Sequence, residues 1–169
     1  KSLGQHFLIN PRILDKIMAA AEIEEKDTVL EIGPGTGNLT ERLVEKAGRV
    51  IAIEKDRRLI EVLKEKFKNE KVEIIEGDIL RFKIDELGIK NYKIVANIPY
   101  HITSPLLRHA FLESPLPPQS LTLLIQREVA ATICDTENAG MLTILVSLFG
   151  VPTVTNVVPP KAFLPPPAV

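Results

Sequence analysis

The stretch that most limits what this chain can become is TVLEIGPGTGNLTERLVEKAG, residues 28 to 48. Residues 28–32 read as a buried strand. Gly33-Pro34-Gly35-Thr36-Gly37 then breaks it, and NLTERLVEK carries apolar residues at helical spacing until Gly48 closes the run. A strand that passes through a glycine turn into a helix is half of a βαβ unit, and the pattern recurs. RVIAIE (49–54), KVEIIEGD (71–78), YKIVANIPY (92–100) and SLTLLIQ (120–126) are strand-like. RRLIEVLKEKFKN (57–69), TSPLLRHAFLE (103–113) and REVAATIC (127–134) are helix-like, and PRILDKIMAAAE precedes the series. Alternation of this kind predicts a doubly wound α/β fold with a mostly parallel sheet. MLTILVSLFG and VPTVTNVV are β-rich, and an antiparallel pair between them is expected at one edge.

The totals narrow the function classes. A chain of 169 residues, 45% apolar and 25% charged, predicts one soluble globular domain. No apolar run approaches the roughly 20 residues of a membrane span. Cys134 is the only cysteine, so no disulfide forms within the chain, no cysteine metal site is expected, and a reducing cytoplasm fits. Net charge is −1, unlike the basic balance of many nucleic-acid binders. The cations between Lys55 and Lys68 alternate with glutamates, which predicts a solvated helix face laced with ion pairs.

Three strands end on polar features that suit a nucleotide. After residues 28–32 come Gly33 and Gly35, which let backbone and ligand approach closely. Glu54 ends the next strand, about 20 residues on, where an acid can accept from ribose hydroxyls. Asp78 ends the third and is placed to meet an adenine amine. A dinucleotide site would place its third glycine where Asn38 stands; Gly-x-Gly-x-Gly after an acidic strand end is instead the pattern of S-adenosylmethionine (SAM) methyltransferases.

The fourth strand ends on Asn97-Ile98-Pro99-Tyr100. Pro99 cannot donate to a sheet ladder, so the strand stops there. A planar amine such as the adenine 6-amino group is a poor nucleophile because its lone pair is delocalised. The Asn97 side-chain oxygen and a main-chain carbonyl, of Ile98 or Pro99, could accept both its hydrogens and free that lone pair. Tyr100 could stack on a base drawn out of its helix. Positioning and electrostatics suffice; no general base is required.

These motifs together resemble the ribosomal RNA adenine dimethyltransferase family from end to end. KSLGQHFLIN is similar to its N-terminal motif, EIGPGTGNLT to its SAM loop and NIPYHITSPLL to its target-amine motif. LLIQREVA and VPPKAFLPPP are similar to its later motifs. The resemblance implies a Rossmann-like class I SAM-dependent methyltransferase with residues 1–169 as its catalytic domain. It implies dimethylation of two adjacent adenosines near the 3′ end of small-subunit rRNA, in an immature ribosomal subunit in the cytoplasm, by a monomer. Large-subunit rRNA methylation, as in macrolide resistance, and a non-catalytic RNA-binding role on the same fold are the alternatives. SAM contacts are implied at Gln5, His6, Leu8, Gly33, Gly35, Glu54, Asp78 and Asn97, and no metal. Phe163 is implied to sandwich the base against Tyr100; its alternative role is a hydrophobic plug under the proline tail. The family commonly has Asn where His6 stands, and a basic residue near Gly140-Met141-Leu142. Its helical C-terminal domain is expected to be absent here.

Overall fold

The computed structural model describes residues 6–68 and 70–167, and of Tyr100 the backbone alone. In chain order the regular elements are β1 (Phe7–Leu8), α1 (Pro11–Ala21), β2 (Thr28–Ile32), α2 (Asn38–Lys46), β3 (Arg49–Glu54) and α3 (Arg57–Lys66). Then follow β4 (Val72–Glu76), β5 (Tyr92–Asn97), α4 (Thr103–Arg108), β6 (Ser120–Leu124), α5 (Arg127–Cys134), α6 (Met141–Ser147) and β7 (Phe163–Leu164). Five strands form one sheet in the order β4-β3-β2-β5-β6, and every pairing in it is parallel.

That order follows from the sequence. Chain direction leads from β2 outward through β3 to β4, then returns to the other side of β2 as β5. The strand order therefore reverses between β2 and β5, the place where open α/β sheets bind ligands beyond their carboxyl ends. Strands β2, β3 and β5 are nearly continuous apolar runs because helices cover both faces. One face packs Val29, Val50 and Val95 against Leu14, Met18, Leu39 and Leu43. The other packs Leu30, Ile51, Ile53 and Ile94 with Ile79, Leu106 and Ala110. Residues next to each other in a strand serve opposite cores, so a one-residue slip in register would reverse every one of them.

Helix starts obey local chemistry. Asn10 caps α1 by accepting from the Arg12 N–H at 3.0 Å, with Pro11 at the first helical position. Asp56 caps α3 through the Arg58 N–H at 3.1 Å. Within the charged stretch Lys68 meets Glu65 at 2.6 Å, the kind of pair its sequence suggests, while Arg57 and Lys66 reach outside it to Glu76 at 2.7 Å and Glu41 at 2.9 Å.

The antiparallel edge expected from MLTILVSLFG and VPTVTNVV is not formed among the described residues. Met141–Ser147 is helix α6, and residues 151–158 run without regular structure. A short apolar run has no period that separates strand from helix, so tertiary contacts decide. Here the Thr143 hydroxyl donates to the Thr132 carbonyl at 2.7 Å and ties α6 to α5, with Thr143 and Leu145 buried. With one partner helical, the other has no strand to join. The antiparallel pair that exists is a separate one: Phe7 faces Leu164 and Leu8 faces Phe163, joining the two ends of the domain. No helix among the described residues is long and apolar enough to cross a membrane.

Candidate active site

The glycine loop is built for close approach. Gly33, Gly35 and Gly37 have φ of 68°, 61° and 80°, the left-handed region that side chains disfavour. A Cβ on Gly35 would stand 2.9 Å from the Phe7 ring, so the loop and the β1 segment are packed as tightly as glycine allows. The loop is tied down at Gly33, whose N–H donates to the Ile53 carbonyl at 2.9 Å, and at Gly37, whose N–H donates to Pro34 at 2.9 Å.

Glu54, at the end of β3, is 4% exposed. Its carboxylate accepts three main-chain N–H groups: Gly35 at 3.0 Å, Lys55 at 2.9 Å and Asp56 at 2.8 Å. A carboxylate has about four acceptor positions, so little capacity is left beside them. Asp78 is also engaged. It accepts from the Leu80 N–H at 3.2 Å and pairs with the Lys55 ammonium at 2.8 Å, which holds its carboxyl below the usual range.

Asn97 ends β5. Its Nδ2 donates to the His6 carbonyl at 3.1 Å. A carbonyl only accepts, so the amide orientation is settled by chemistry, and Oδ1 faces away from that bond. Ile98 is 2% exposed and anchors the turn in the core. The Pro99 carbonyl accepts the Ile102 N–H at 3.1 Å, closing the 3₁₀ turn Tyr100–Ile102. Of the two candidate carbonyls, that of Pro99 is therefore committed to the turn.

Residues 6–9 cross over this crevice as a strap. Asn38, the first residue of α2, donates from Nδ2 to the Leu8 carbonyl at 2.8 Å. The Ile9 N–H donates to Ala162 at 3.0 Å, and the His6 ring meets the Pro165 carbonyl at 2.9 Å. Strap, glycine loop and strand ends enclose a cavity of about 90 Å³ lined by His6, Leu8, Gly33, Gly35, Glu54, Asn97, Ile98, Pro99 and Phe163. Asp78 does not line it. Phe163 is 6% exposed and belongs to the core on the α1–α2 side, presenting one edge to the cavity wall. Gln5 and the Tyr100 side chain lie outside what is described. No cluster of three or more His, Cys, Asp or Glu able to hold a metal occurs among the described residues.

Sequence reasoning missed two members of this site. Asn38 figures in the sequence only as the residue standing where a third glycine would, and Glu31 only as the acid that ends the strand before the glycines, with no contact assigned to either. Glu31 is 1% exposed, lines the cavity, and its Oε2 has no hydrogen-bond partner. The signal was present: a carboxylate inside an otherwise apolar strand is rare unless paired. Burial, reinforced by the Glu54 charge and opposed by the neighbouring Thr40 hydroxyl, pushes Glu31 up to about 8.

Residues 1–169 match the family model described as ribosomal RNA adenine dimethylase. Among curated relatives, the ribosomal RNA small subunit methyltransferase A of Dehalococcoides mccartyi is 49% identical over all of this chain. The chain spans 59% of that relative's length. Among solved structures, a dimethyladenosine transferase from Plasmodium falciparum is 39% identical with a TM-score of 0.79, covering 96% of this chain and 59% of that one. The 23S rRNA methyltransferase ErmE is 28% identical with a TM-score of 0.85, covering 96% of this chain and 66% of that one. The fold is accordingly the Rossmann-like class I methyltransferase fold.

Proposed function

This chain belongs to the ribosomal RNA adenine dimethylase family, and from that premise we propose that residues 1–169 form the catalytic domain of a SAM-dependent enzyme that dimethylates two adjacent adenosines near the 3′ end of small-subunit rRNA. Its partner is the rRNA of an immature small subunit, met in the cytoplasm during ribosome biogenesis, and it acts as a monomer.

The residues present fit the methyl donor better than a dinucleotide. Among the described residues, the cavity is lined by two carboxyl groups, Glu31 and Glu54, and by no lysine or arginine. A lining with carboxyl groups and no cation offers a pyrophosphate no charged partner and suits a ligand carrying positive charge. When bound, SAM supplies an electrophilic methyl group on a sulfonium. Gly33 and Gly35 give the donor close backbone approach, Glu54 takes a ribose hydroxyl with its remaining acceptor position, and His6 and Leu8 cover it from the strap. Asp78, across its ion pair with Lys55, marks the adenine end.

On the acceptor side, the single observation that carries the reading is the arrangement of Asn97. The strap takes its Nδ2, which leaves Oδ1 as an acceptor for one amine hydrogen. The Ile98 carbonyl takes the other, because that of Pro99 is used in the turn. Both hydrogen bonds would draw the adenine nitrogen toward tetrahedral geometry and aim its lone pair at the methyl group; as the N–C bond formed, the S–C bond would break to leave S-adenosylhomocysteine, and a proton would pass to solvent. Tyr100 stacks on the base, and Phe163 is a fixed wall at its edge rather than a mobile clamp. The contribution is positional and electrostatic.

The test is calorimetric titration with SAM and with NAD, followed by mapping of methylated nucleotides in treated immature small subunits and in treated large-subunit rRNA. SAM binding and two adjacent dimethyladenosines near the 3′ end are expected. Methylation confined to large-subunit rRNA would transfer the chain to the ErmE-like reading. Tight NAD binding without SAM binding would overturn the methyltransferase reading.

A further inference from the structure

His109 is a buried titratable side chain that the proposed chemistry does not use. It is 8% exposed, and both ring nitrogens are engaged. Nε2 meets the Phe82 carbonyl at 2.8 Å, and Nδ1 meets Glu113 Oε2 at 2.7 Å. A carbonyl only accepts, so Nε2 carries the hydrogen of the first bond. The second bond comes from the far end of the same helical turn. Held at both nitrogens, the ring has one orientation.

The backbone is shaped to put the ring there. Helix α4 ends at Arg108, and His109–Glu113 continue it as a wider π-helical turn. The Ser114 N–H closes that turn by donating to the His109 carbonyl at 3.1 Å. Single π turns are rare and concentrate at functional sites. Packing alone would be met by an apolar side chain, as Leu106 and Ala110 meet it in the core they share with Ile79. Burying an imidazole instead is costly unless its nitrogens are used.

The ring joins two parts of the site that are distant in sequence. On one side, α4 follows directly from Asn97-Ile98-Pro99-Tyr100 through the turn Tyr100–Ile102. On the other, Phe82 closes the 3₁₀ turn Ile79–Arg81 that Asp78 opens. The Asp78 carboxylate accepts the Leu80 N–H at 3.2 Å, and the Phe82 N–H donates to the Ile79 carbonyl at 3.3 Å. The Phe82 ring folds back to the strand end, where a Cβ on Gly77 would stand 3.3 Å from it. The turn bearing Asp78 is thus packed at its start and caught by the imidazole at its end.

We propose that His109 is a positioning residue for the methyl donor: by holding the Phe82 carbonyl it fixes the turn that carries Asp78, and so sets the preference of the site for adenine over a 6-oxopurine. This rests on the reading of Asp78 as the adenine end of the SAM site. The Asp78 carboxylate only accepts. The adenine 6-amino group donates, whereas hypoxanthine presents an acceptor at the same place. Acceptor against acceptor is unfavourable only while the carboxylate is held; once released, it turns away and tolerates either base.

The test is calorimetric affinity for S-adenosylhomocysteine and for S-inosylhomocysteine, its 6-oxo counterpart. The wild type should prefer the adenine ligand by about tenfold or more. His109→Phe keeps a planar ring but loses both bonds, and its preference should shrink to about threefold or less. His109→Gln keeps an amide N–H for the Phe82 carbonyl and should restore most of the preference. Glu113→Ala, at a side chain 59% exposed, frees the ring at Nδ1 without touching the core. It should lower the preference by about two- to threefold.

A chain that binds neither ligand overturns the SAM reading, and a wild type that binds both alike overturns the adenine reading of Asp78; this proposal falls with either. A wild type that prefers adenine, with variants that keep the preference while both affinities fall together, overturns this proposal alone and makes His109 a packing residue. So does a preference lost in His109→Phe and not restored in His109→Gln. Where His109→Phe fails to fold, Glu113→Ala decides, and an unchanged preference there overturns the proposal.

Discussion

The sheet has an opening on each side of β5, and they differ in size and in how their walls are held. At the carboxyl ends of β2, β3 and β5 lies the cavity of about 90 Å³, walled by main-chain amides, two carboxyls and the Asn97 amide. Beyond β6 lies a groove of about 830 Å³ between that strand and residues 151–158, with Leu121, Leu123, Ile125, Val154 and Val157 on its walls. The small cavity is held on every side. Glu54 fastens loop to strand, Asn97 and Asn38 fasten the strap, and the β1–β7 pair fastens the two chain ends. The large groove mixes apolar walls with Gln126, Arg127 and Glu128, and the segment along it is loosely held, with Val151 93% exposed and Val157 68% exposed. Size here measures unfilled packing space beside a sheet edge. Convergent polar groups, not volume, mark the place where chemistry is possible.

That contrast can be broken, beginning with the largest effect. Asn97→Ala removes the acceptor presented to the amine. Methyl transfer should fall by about 10²- to 10³-fold, the scale for losing one preorganised polar group, beyond any loss of SAM affinity from releasing the strap. Near-normal methyl incorporation would refute the assignment of Asn97.

Glu54→Ala leaves the Gly35, Lys55 and Asp56 N–H groups without their acceptor. With about 1–3 kcal/mol for each buried donor left unmade, and some relieved by water, a loss of about 3 kcal/mol in urea unfolding is expected, together with loss of SAM binding. A variant of unchanged stability would show that the loop is not held by this carboxylate.

Glu31 supplies the pH dependence. Its folded value is raised from 4.5 to about 8, so the folded state binds the extra proton between those limits. Stability of the wild type relative to Glu31→Gln is therefore fully present at low pH and declines as pH rises through this window. About 2 kcal/mol across it is expected, allowing for relaxation around a buried group. Parallel unfolding curves at both ends of the window would rule the shift out.

The smallest effect belongs to the groove. Val151→Ser should change stability by no more than about 0.5 kcal/mol and leave SAM affinity unaltered. A loss of SAM binding there as large as that at Glu54 would erase the distinction between the two openings.

The same division separates what the sequence disclosed from what it did not. Around the cavity, local signals agree with the global fold. Glycines fall where φ is positive, Glu54 and Asn97 fall at strand ends, and Pro99 falls where β5 must stop. Beyond β6, the apolar run from Met141 carries no decisive period, and only the contact of Thr143 with Thr132 reveals why it is helical. The pairing of Phe7-Leu8 with Phe163-Leu164 joins residues more than 150 positions apart. Two-residue strands have no pattern of their own, so only the resemblance of both ends to one family hinted that they serve one site. Glu31 is legible as the acid near the end of β2, but its burial and its unpartnered oxygen are not. Asp78 lies two residues past the end of β4, capping a 3₁₀ turn, and its ion pair with Lys55 depends on a side chain reaching across from the loop after β3.

Hydrogen exchange of the main-chain amides, with and without SAM, tests the distinction between the two openings most directly. Slower exchange on SAM binding is predicted for residues 6–9, 33–38, 54–56 and 97–98, with no change at 120–125 or 151–158. Protection concentrated at the groove, with the glycine loop and Glu54 unaffected, would contradict the assignment of the small cavity as the seat of the chemistry.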